Sequence, residues 1–253
     1  MDLSMFMSDE NFSLDHQYFD KVIYINLKSR DDRNEHILSV LKKAEIPDAK
    51  IIRFDAIEDN PGFIGCARSH AAVMDMVIKQ NLGTVLVLED DADFYMDLTH
   101  IRQANKFLAC LNERSWDVAL LGGNYYLAYT QEPDNYLLKL MLSFCAHAYI
   151  VNQHYAETVL RIFNESIALM NETSVPNESK GIDAHWCNYM EKDNWYGLYP
   201  CIARQRDDYS NIRGGYIHYG DLFNKSPDDM CIETIFLPEG NKASIFDDEV
   251  QIN

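Results

Sequence analysis

Residues 84–94 read TVLVLEDDADF, an apolar run from Thr84 to Leu88 followed by four carboxylates, Glu89, Asp90, Asp91 and Asp93. Like charges this close repel, and burying even part of a carboxylate is costly unless a positive group answers it. In an extended chain Glu89 and Asp91 point to one side, as do Asp91 and Asp93 if the extension continues. Two carboxylates converging there make a hard-oxygen site suited to Mg²⁺ or Mn²⁺, completed by water and phosphate oxygens. Such an ion neutralises charge developing on a departing diphosphate. The ordinary alternative is a solvated acidic loop, with Asp90 or Asp93 capping the next helix.

Other chemistry-bearing residues are scattered. His147 in CAHAYIV and His218 in GGYIHYG are candidate metal or substrate contacts, although a lone histidine in an apolar strand is more often structural. The cysteines, Cys66, Cys110, Cys145, Cys187, Cys201 and Cys231, lie far apart with no CxxC pair. That pattern indicates reduced, mostly buried thiols and argues against zinc. No GxxxxGK[ST] loop is present and no GxGxxG follows the first strand, which leaves a sugar-nucleotide enzyme as the better fit.

The elements that must position these groups alternate. KVIYINL (21–27), IIRFDAI (51–57), TVLVLED and WDVALLGG (116–123) read as strands. Between them lie helical patterns: SRDDRNEHILSVLKKAEI with Ser29 or Asp31 as cap, a helix starting near Ala67, and DLTHIRQANKFLACLNER (97–114). This spacing predicts a mostly parallel, doubly wound α/β sheet, whose ligands sit beyond the carboxyl ends of the strands. Asn26 to Arg30, Glu89 to Asp91 and Gly122 to Asn124 are expected together at that edge. Farther on, CAHAYIV and WYGLYP read as strands, HYAETVLRIFNESIALM as a helix, and GIDAHWCNYMEKD as the start of a short one. The rest of the second half, including 127–140 and 171–182, is expected to be loops.

A chain of 253 residues with 47% hydrophobic content can bury a sizeable core. The net charge of −18 argues against nucleic acid or an anionic membrane surface as partner. MDLSMFMSDENFSLD has neither the basic region nor the apolar core of a signal peptide. YLLKLMLSFCAHAYIV contains Lys139 and His147 and is short for a membrane span, so a cytoplasmic protein is expected. The expected organisation is an N-terminal extension (1–20), one catalytic domain (21–220) and an acidic C-terminal segment (221–253).

The series VIYINLKSRDDR, GFIGCARSHAAV, LVLEDDADF, HAYIV, GID and YPCIARQRDDYSNIRG resembles glycosyltransferase family 25, which includes lipooligosaccharide and collagen galactosyltransferases. The resemblance implies a GT-A-type, Rossmann-like fold with an irregular C-terminal lobe, a UDP-sugar donor, a divalent metal (typically Mn²⁺) and transfer with inversion. It implies donor-site roles for Asn26, Arg30 and Arg33, and for Glu89, Asp90 and Asp91, with Glu89 and Asp91 on the metal. Gly65, Cys66, Ser69 and His70 match its GC-x-x-SH motif, and Gln205, Ser210 and Ile212 its terminal signature. Ser69 and His70 are expected to open a helix whose free N–H groups meet phosphate or uracil, capping being the alternative. An inverting transfer also needs a carboxylate base facing away from the metal pair. Asp183 is the candidate, with helix capping its alternative, and Asp207 and Asp208 are weaker ones. The expected reaction moves galactose or glucose to a saccharide or a hydroxylated side chain. A sugar nucleotidyltransferase and a non-catalytic UDP-sugar-binding subunit are the rivals.

Overall fold

The computed structural model describes residues 13–131, 134–172, 175–210, 215–223, 225–226 and 229–233. Its centre is a nine-stranded sheet in the order β13-β6-β7-β9-β5-β8-β3-β1-β2. The strands that matter for the site are β1 (Lys21–Asn26), β2 (Ile51–Asp55), β3 (Val85–Glu89), β5 (Val118–Leu120), β8 (Ala148–Val151) and β9 (Trp195–Leu198). β6 (Asn124–Gln131) and β7 (Asp134–Phe144) form a hairpin, and β13 (Cys231–Glu233) edges the sheet beside β6. All run one way except β7 and β8, which pair antiparallel with both neighbours. The expected mostly parallel sheet flanked by helices is therefore present.

β1 shows why it is central. Val22 and Tyr24 face a core built with α1 (Asp31–Lys43) and α3 (Leu98–Asn112), while Ile23 and Ile25 face the other core, with α2 (Gly62–Gln80) and α4 (Ala156–Met170). Period-two alternation with both faces apolar is what a strand covered by helices on each side requires. The second core also holds Trp186 and Trp195, both fully buried, with ring centroids 5.3 Å apart.

Several boundaries differ from the sequence reading. α1 has Arg30 at its N-cap without a side-chain cap; Asp31 and Asp32 lie in its first turn, where they complement the helix dipole. α2 opens at Gly62, directly after Pro61, rather than near Ala67. Asp97 caps α3 by accepting from the Thr99 and His100 N–H groups. Residues 127–131 and 134–140 lie in the paired strands β6 and β7, not a loop; Leu137, Leu138 and Leu140 are fully buried there, so the apolar run of YLLKLMLSF is sheet core. The C-terminal stretch also contains β10 (Ala203–Gln205), which pairs with β4 (Ala92–Phe94), and β11 (Asp208–Ser210), which pairs with β12 (Gly215–Ile217).

Leu14 and Phe19 are buried in the α1/α3 core, so the described part of the N-terminal extension packs on the domain. Among the described residues no helix is long and apolar enough to cross a membrane.

Candidate active site

Strand order brings the predicted groups to one edge. β1 and β3 are parallel neighbours with Ile25 opposite Glu89, so the chain leaving β1 meets the acidic turn leaving β3. Because β8 runs against β3, its beginning lies beside the end of β3, and the Glu89 N–H donates to the His147 carbonyl at 2.9 Å. Gly122 closes the edge. A Cβ there would stand 1.9 Å from the Ala203 carbonyl oxygen, so only glycine lets β10 cross the end of β5.

The chain turns at Asp90 and Asp91, which breaks the extension after Glu89. Glu89 and Asp91 still come together: the Gln205 amide Nε2 lies 3.3 Å from Glu89 Oε2 and 3.4 Å from Asp91 Oδ1. Asp93 leaves the group and pairs with Arg204 at 2.8 Å.

Arg33 answers much of the negative charge. Its Nη1 donates to Asp90 Oδ1 at 2.8 Å and to Asp91 Oδ2 at 3.1 Å, and its Nε to Asp208 Oδ2 at 3.0 Å. Burial works against this cation, but Asp91, Asp90 and Asp208 hold it firmly charged. Asn26, fully buried, donates from Nδ2 to Asp90 Oδ2 at 2.8 Å and to the Arg30 carbonyl at 3.1 Å. Arg30 and Arg206 also reach Asp208 Oδ2, at 3.0 and 2.9 Å. Burial raises the Asp208 carboxyl, yet the Arg206 hydrogen bond and the surrounding guanidinium charge bring it well below the usual range. A carboxylate held by three guanidinium groups is a poor proton acceptor. Asp207 is occupied by His218 Nδ1 at 3.0 Å and by the Tyr219 N–H at 2.8 Å, leaving His218 at the exposed rim.

On the α2 side, Gly65 packs against the 57–59 turn, where a Cβ would lie 2.4 Å from the Ile57 carbonyl oxygen. Ser69 and His70 do not open a helix. They are the eighth and ninth residues of α2, fully buried, with their backbone N–H groups inside the helix. The Ser69 hydroxyl donates to the Gly65 carbonyl at 2.7 Å and accepts the Ile57 N–H at 2.8 Å, so it ties the helix to the preceding turn. His70 bridges the Tyr149 hydroxyl (Nδ1, 2.8 Å) and Glu89 Oε1 (Nε2, 3.2 Å). Cys66 Sγ stands 3.7 Å from the same Glu89 oxygen.

These surroundings set the two carboxylates apart. Burial, the largest single influence, raises Glu89, but the His70 hydrogen bond together with the His70, His147 and Arg33 charges brings the net direction down. Burial and the Glu89 charge push Asp91 up, with Arg33 only partly offsetting them. Glu89 Oε2 and Asp91 Oδ1 share a single long amide contact and keep lone pairs for a cation, so this pair fits a small divalent ion.

Asp183 lies inside the first turn of α5 (Ile182–His185), whose N-cap position is Gly181. Its Oδ2 accepts the N–H of Cys145, a residue in the left-handed region at φ 73°. Burial and the Glu89 charge raise the Asp183 carboxyl, with the Cys145 N–H opposing. His147 is fully buried against Phe223, its ring pushed down to about 4 by burial. Ser210 ends β11, and Ile212 lies outside the described residues. The sequence reading gave no role to Gln205 beyond its motif and none to Tyr149. Nothing local signals either, since their partners are 114–116 and 79 residues away.

Residues 60–174 match the model of glycosyltransferase family 25 (LPS biosynthesis protein). Over that stretch the chain is similar to this family. The expected family and enzyme class are those this match gives. The matched stretch contains Cys66, His70, Glu89, Asp90 and Asp91, while Asn26, Arg30, Arg33, Asp183 and Gln205 lie outside it and join through the fold.

No curated protein matches the chain. Among solved structures it is similar to A197 from STIV, at 14% identity and TM-score 0.37, over 70% of this chain and 81% of that one. UDP-glucose pyrophosphorylase complexed with UDP-glucose is similar at 11% identity and TM-score 0.37, over 70% and 72%. A glycosyltransferase involved in the glycosylation of the major capsid of PBCV-1 is similar at 10% identity and TM-score 0.35, over 70% and 92%. Likenesses at this level fix neither ligand nor reaction.

Proposed function

We propose that this protein is an inverting, GT-A-type hexosyltransferase of the family 25 kind. It takes galactose or glucose from a UDP-sugar and places it on a hydroxyl of a saccharide or a hydroxylated side chain. One observation carries the reading: the Glu89–Asp91 pair, the Arg33 cation and the buried Asp183 carboxyl belong to one electrostatically connected edge of the sheet. Residues 21–220 form the transferase domain in this reading, between the extension 1–20 and the acidic segment 221–253.

Glu89 and Asp91 would hold Mn²⁺ or Mg²⁺, which when bound supplies positive charge for a leaving diphosphate. Arg30 and Arg33 are the cations for the donor's phosphates; both pair with Asp208, and Arg33 reaches the acidic turn as well. Asn26 and Asp90 orient Arg33 from beneath, and Ser69 and His70 brace α2 and Glu89. Asp183 takes the acceptor hydroxyl proton as the new C–O bond forms and the bond to the diphosphate oxygen breaks on the opposite face. That single displacement inverts the anomeric carbon. A carboxyl raised by burial is better matched to proton transfer near neutral pH than an ordinary aspartate.

The test is UDP release from a panel of UDP-sugars, with and without Mn²⁺, without added acceptor. Slow release from one donor, abolished by chelation and by Asp91→Asn, is expected. No release, together with no metal-dependent UDP binding by calorimetry, would overturn the proposal.

A further inference from the structure

The two oxygens of Glu89 face different chemistry. Oε2 meets Gln205, the amide shared with Asp91, whereas Oε1 meets a thiol and an imidazole. We infer that Cys66, His70 and Glu89 Oε1 form a second cation position, selective for a borderline transition metal such as Zn²⁺ or Co²⁺. The inference goes beyond the transfer reaction and does not depend on it.

Cys66 and His70 are spaced i, i+4 on α2, which places both on one helix face, and Glu89 meets them from the end of β3. The ligand atoms of the three residues all lie within 4.8 Å of one another. Metal–ligand bonds of about 2.0–2.3 Å in a tetrahedron put ligand atoms about 3.4–3.6 Å apart. The observed edges, 3.7 Å for Cys66 Sγ to Glu89 Oε1 and 3.2 Å for His70 Nε2 to Glu89 Oε1, are within a few tenths of that spacing. The Cys66–His70 edge, within 4.8 Å, is the one an ion would draw in.

The surroundings are those of a ligand set. Tyr149 holds His70 by Nδ1, which fixes Nε2 on the Glu89 side, the outer hydrogen bond a ligating histidine usually has. Phe163 packs edge-on against the imidazole. A second, independent observation is His147. It is fully buried, its ring nitrogens make no hydrogen bond of good geometry, and it lies close enough to Glu89 for their charges to act on each other. Water would fill the fourth position. Thiolate and imidazole donors favour Zn²⁺ or Co²⁺, whereas Mg²⁺ and Mn²⁺ prefer the all-oxygen side of Glu89. On binding, the Cys66 thiol gives its proton to solvent. Zinc was not expected from the cysteine spacing, because the pairing is cysteine with histidine on a helix rather than CxxC.

Co²⁺ titration of the metal-free full chain tests this. One Co²⁺ per chain, a near-ultraviolet thiolate-to-cobalt band and its displacement by Zn²⁺ are expected. Cys66→Ser should abolish the band and weaken Zn²⁺ binding at least about 100-fold, with circular dichroism unchanged. Cys145→Ser should keep the band, and so should Asp91→Asn even where it abolishes Mn²⁺-dependent UDP release. If Cys66→Ser unfolds, His70→Gln serves, with the same loss of Zn²⁺ affinity expected. Absence of the band in the unsubstituted chain, or its survival in Cys66→Ser, overturns the inference and leaves the transferase reading untouched. Loss of UDP release alone overturns only the latter.

Discussion

Arg33 Nε and Asp208 Oδ2 stand 3.0 Å apart across 175 residues of sequence. The same guanidinium reaches Asp90 and Asp91, so one cation ties the start of α1, the acidic turn after β3 and the β11–β12 ribbon together. The Arg33 side chain is only 12% exposed and those of Asp90 and Asp91 about as little, so the network sits largely out of water.

Removing that cation leaves Asp90 and Asp91 without their guanidinium partner, while Asp208 keeps Arg30 and Arg206. Breaking a buried ion pair by deleting one partner typically costs about 3–5 kcal/mol. Arg33→Ala is therefore expected to lower unfolding free energy by roughly that amount in urea titrations, and Asp91→Asn in the same chain should recover part of it. Equal stability of Arg33→Ala and the unsubstituted protein would mean the network is solvated.

Asp183→Asn tests the proposed base. Losing a general base lowers kcat by roughly 10²–10⁴. The expected result is that loss with UDP-sugar binding unchanged by calorimetry, because Asp183 acts on the acceptor side. A rate within a few-fold of the unsubstituted enzyme would assign the proton to another group.

Gly122→Ala links fold to site. The added methyl would meet the Ala203 carbonyl oxygen at 1.9 Å and push β10 away, carrying Gln205 from Glu89 and Asp91. Overpacking of this kind costs about 1–3 kcal/mol. A fall in melting temperature with weakened Mn²⁺ binding is expected, measured by calorimetric scanning and metal titration; stability loss with unchanged Mn²⁺ affinity would separate Gln205 from the metal pair.

Lys139 gives a pH dependence away from the site. Its ammonium donates to the main-chain carbonyls of Met190 and Asp193, and burial lowers its pKa from 10.5 to about 8. Between these values the unfolded chain binds more protons than the folded one, so this group's stabilising contribution is complete above about 10.5 and is lost as pH falls toward 8. The unfolding free energy of the unsubstituted protein minus that of Lys139→Met should rise from pH 8 to 10.5. The difference removes the opposing effect of the buried tyrosines and thiols. A flat difference would show that Lys139 keeps its proton.

The sequence by itself determined the elements whose apolar patterns are self-sufficient: β1, β3, α3 and α4 stand where periodicity and caps put them. It also determined that the acidic turn ends a buried strand, since TVLVLE has no other plausible place than the sheet. The tertiary structure alone decided the direction of β8, and with it the contact of His147 with Glu89, because a short buried strand reads the same in either direction. It decided that the β6–β7 stretch is a hairpin, where an apolar run without regular alternation carries no strand signal of its own. It decided, too, that Ser69 and His70 sit in mid-helix, since α2 begins where Gly65 can close on the Ile57 turn. Above all it decided what answers the acidic cluster. Arg33, His70 and Gln205 reach Glu89 and Asp91 from 19 to 116 residues away, and contacts of that range follow from strand order rather than from any local pattern.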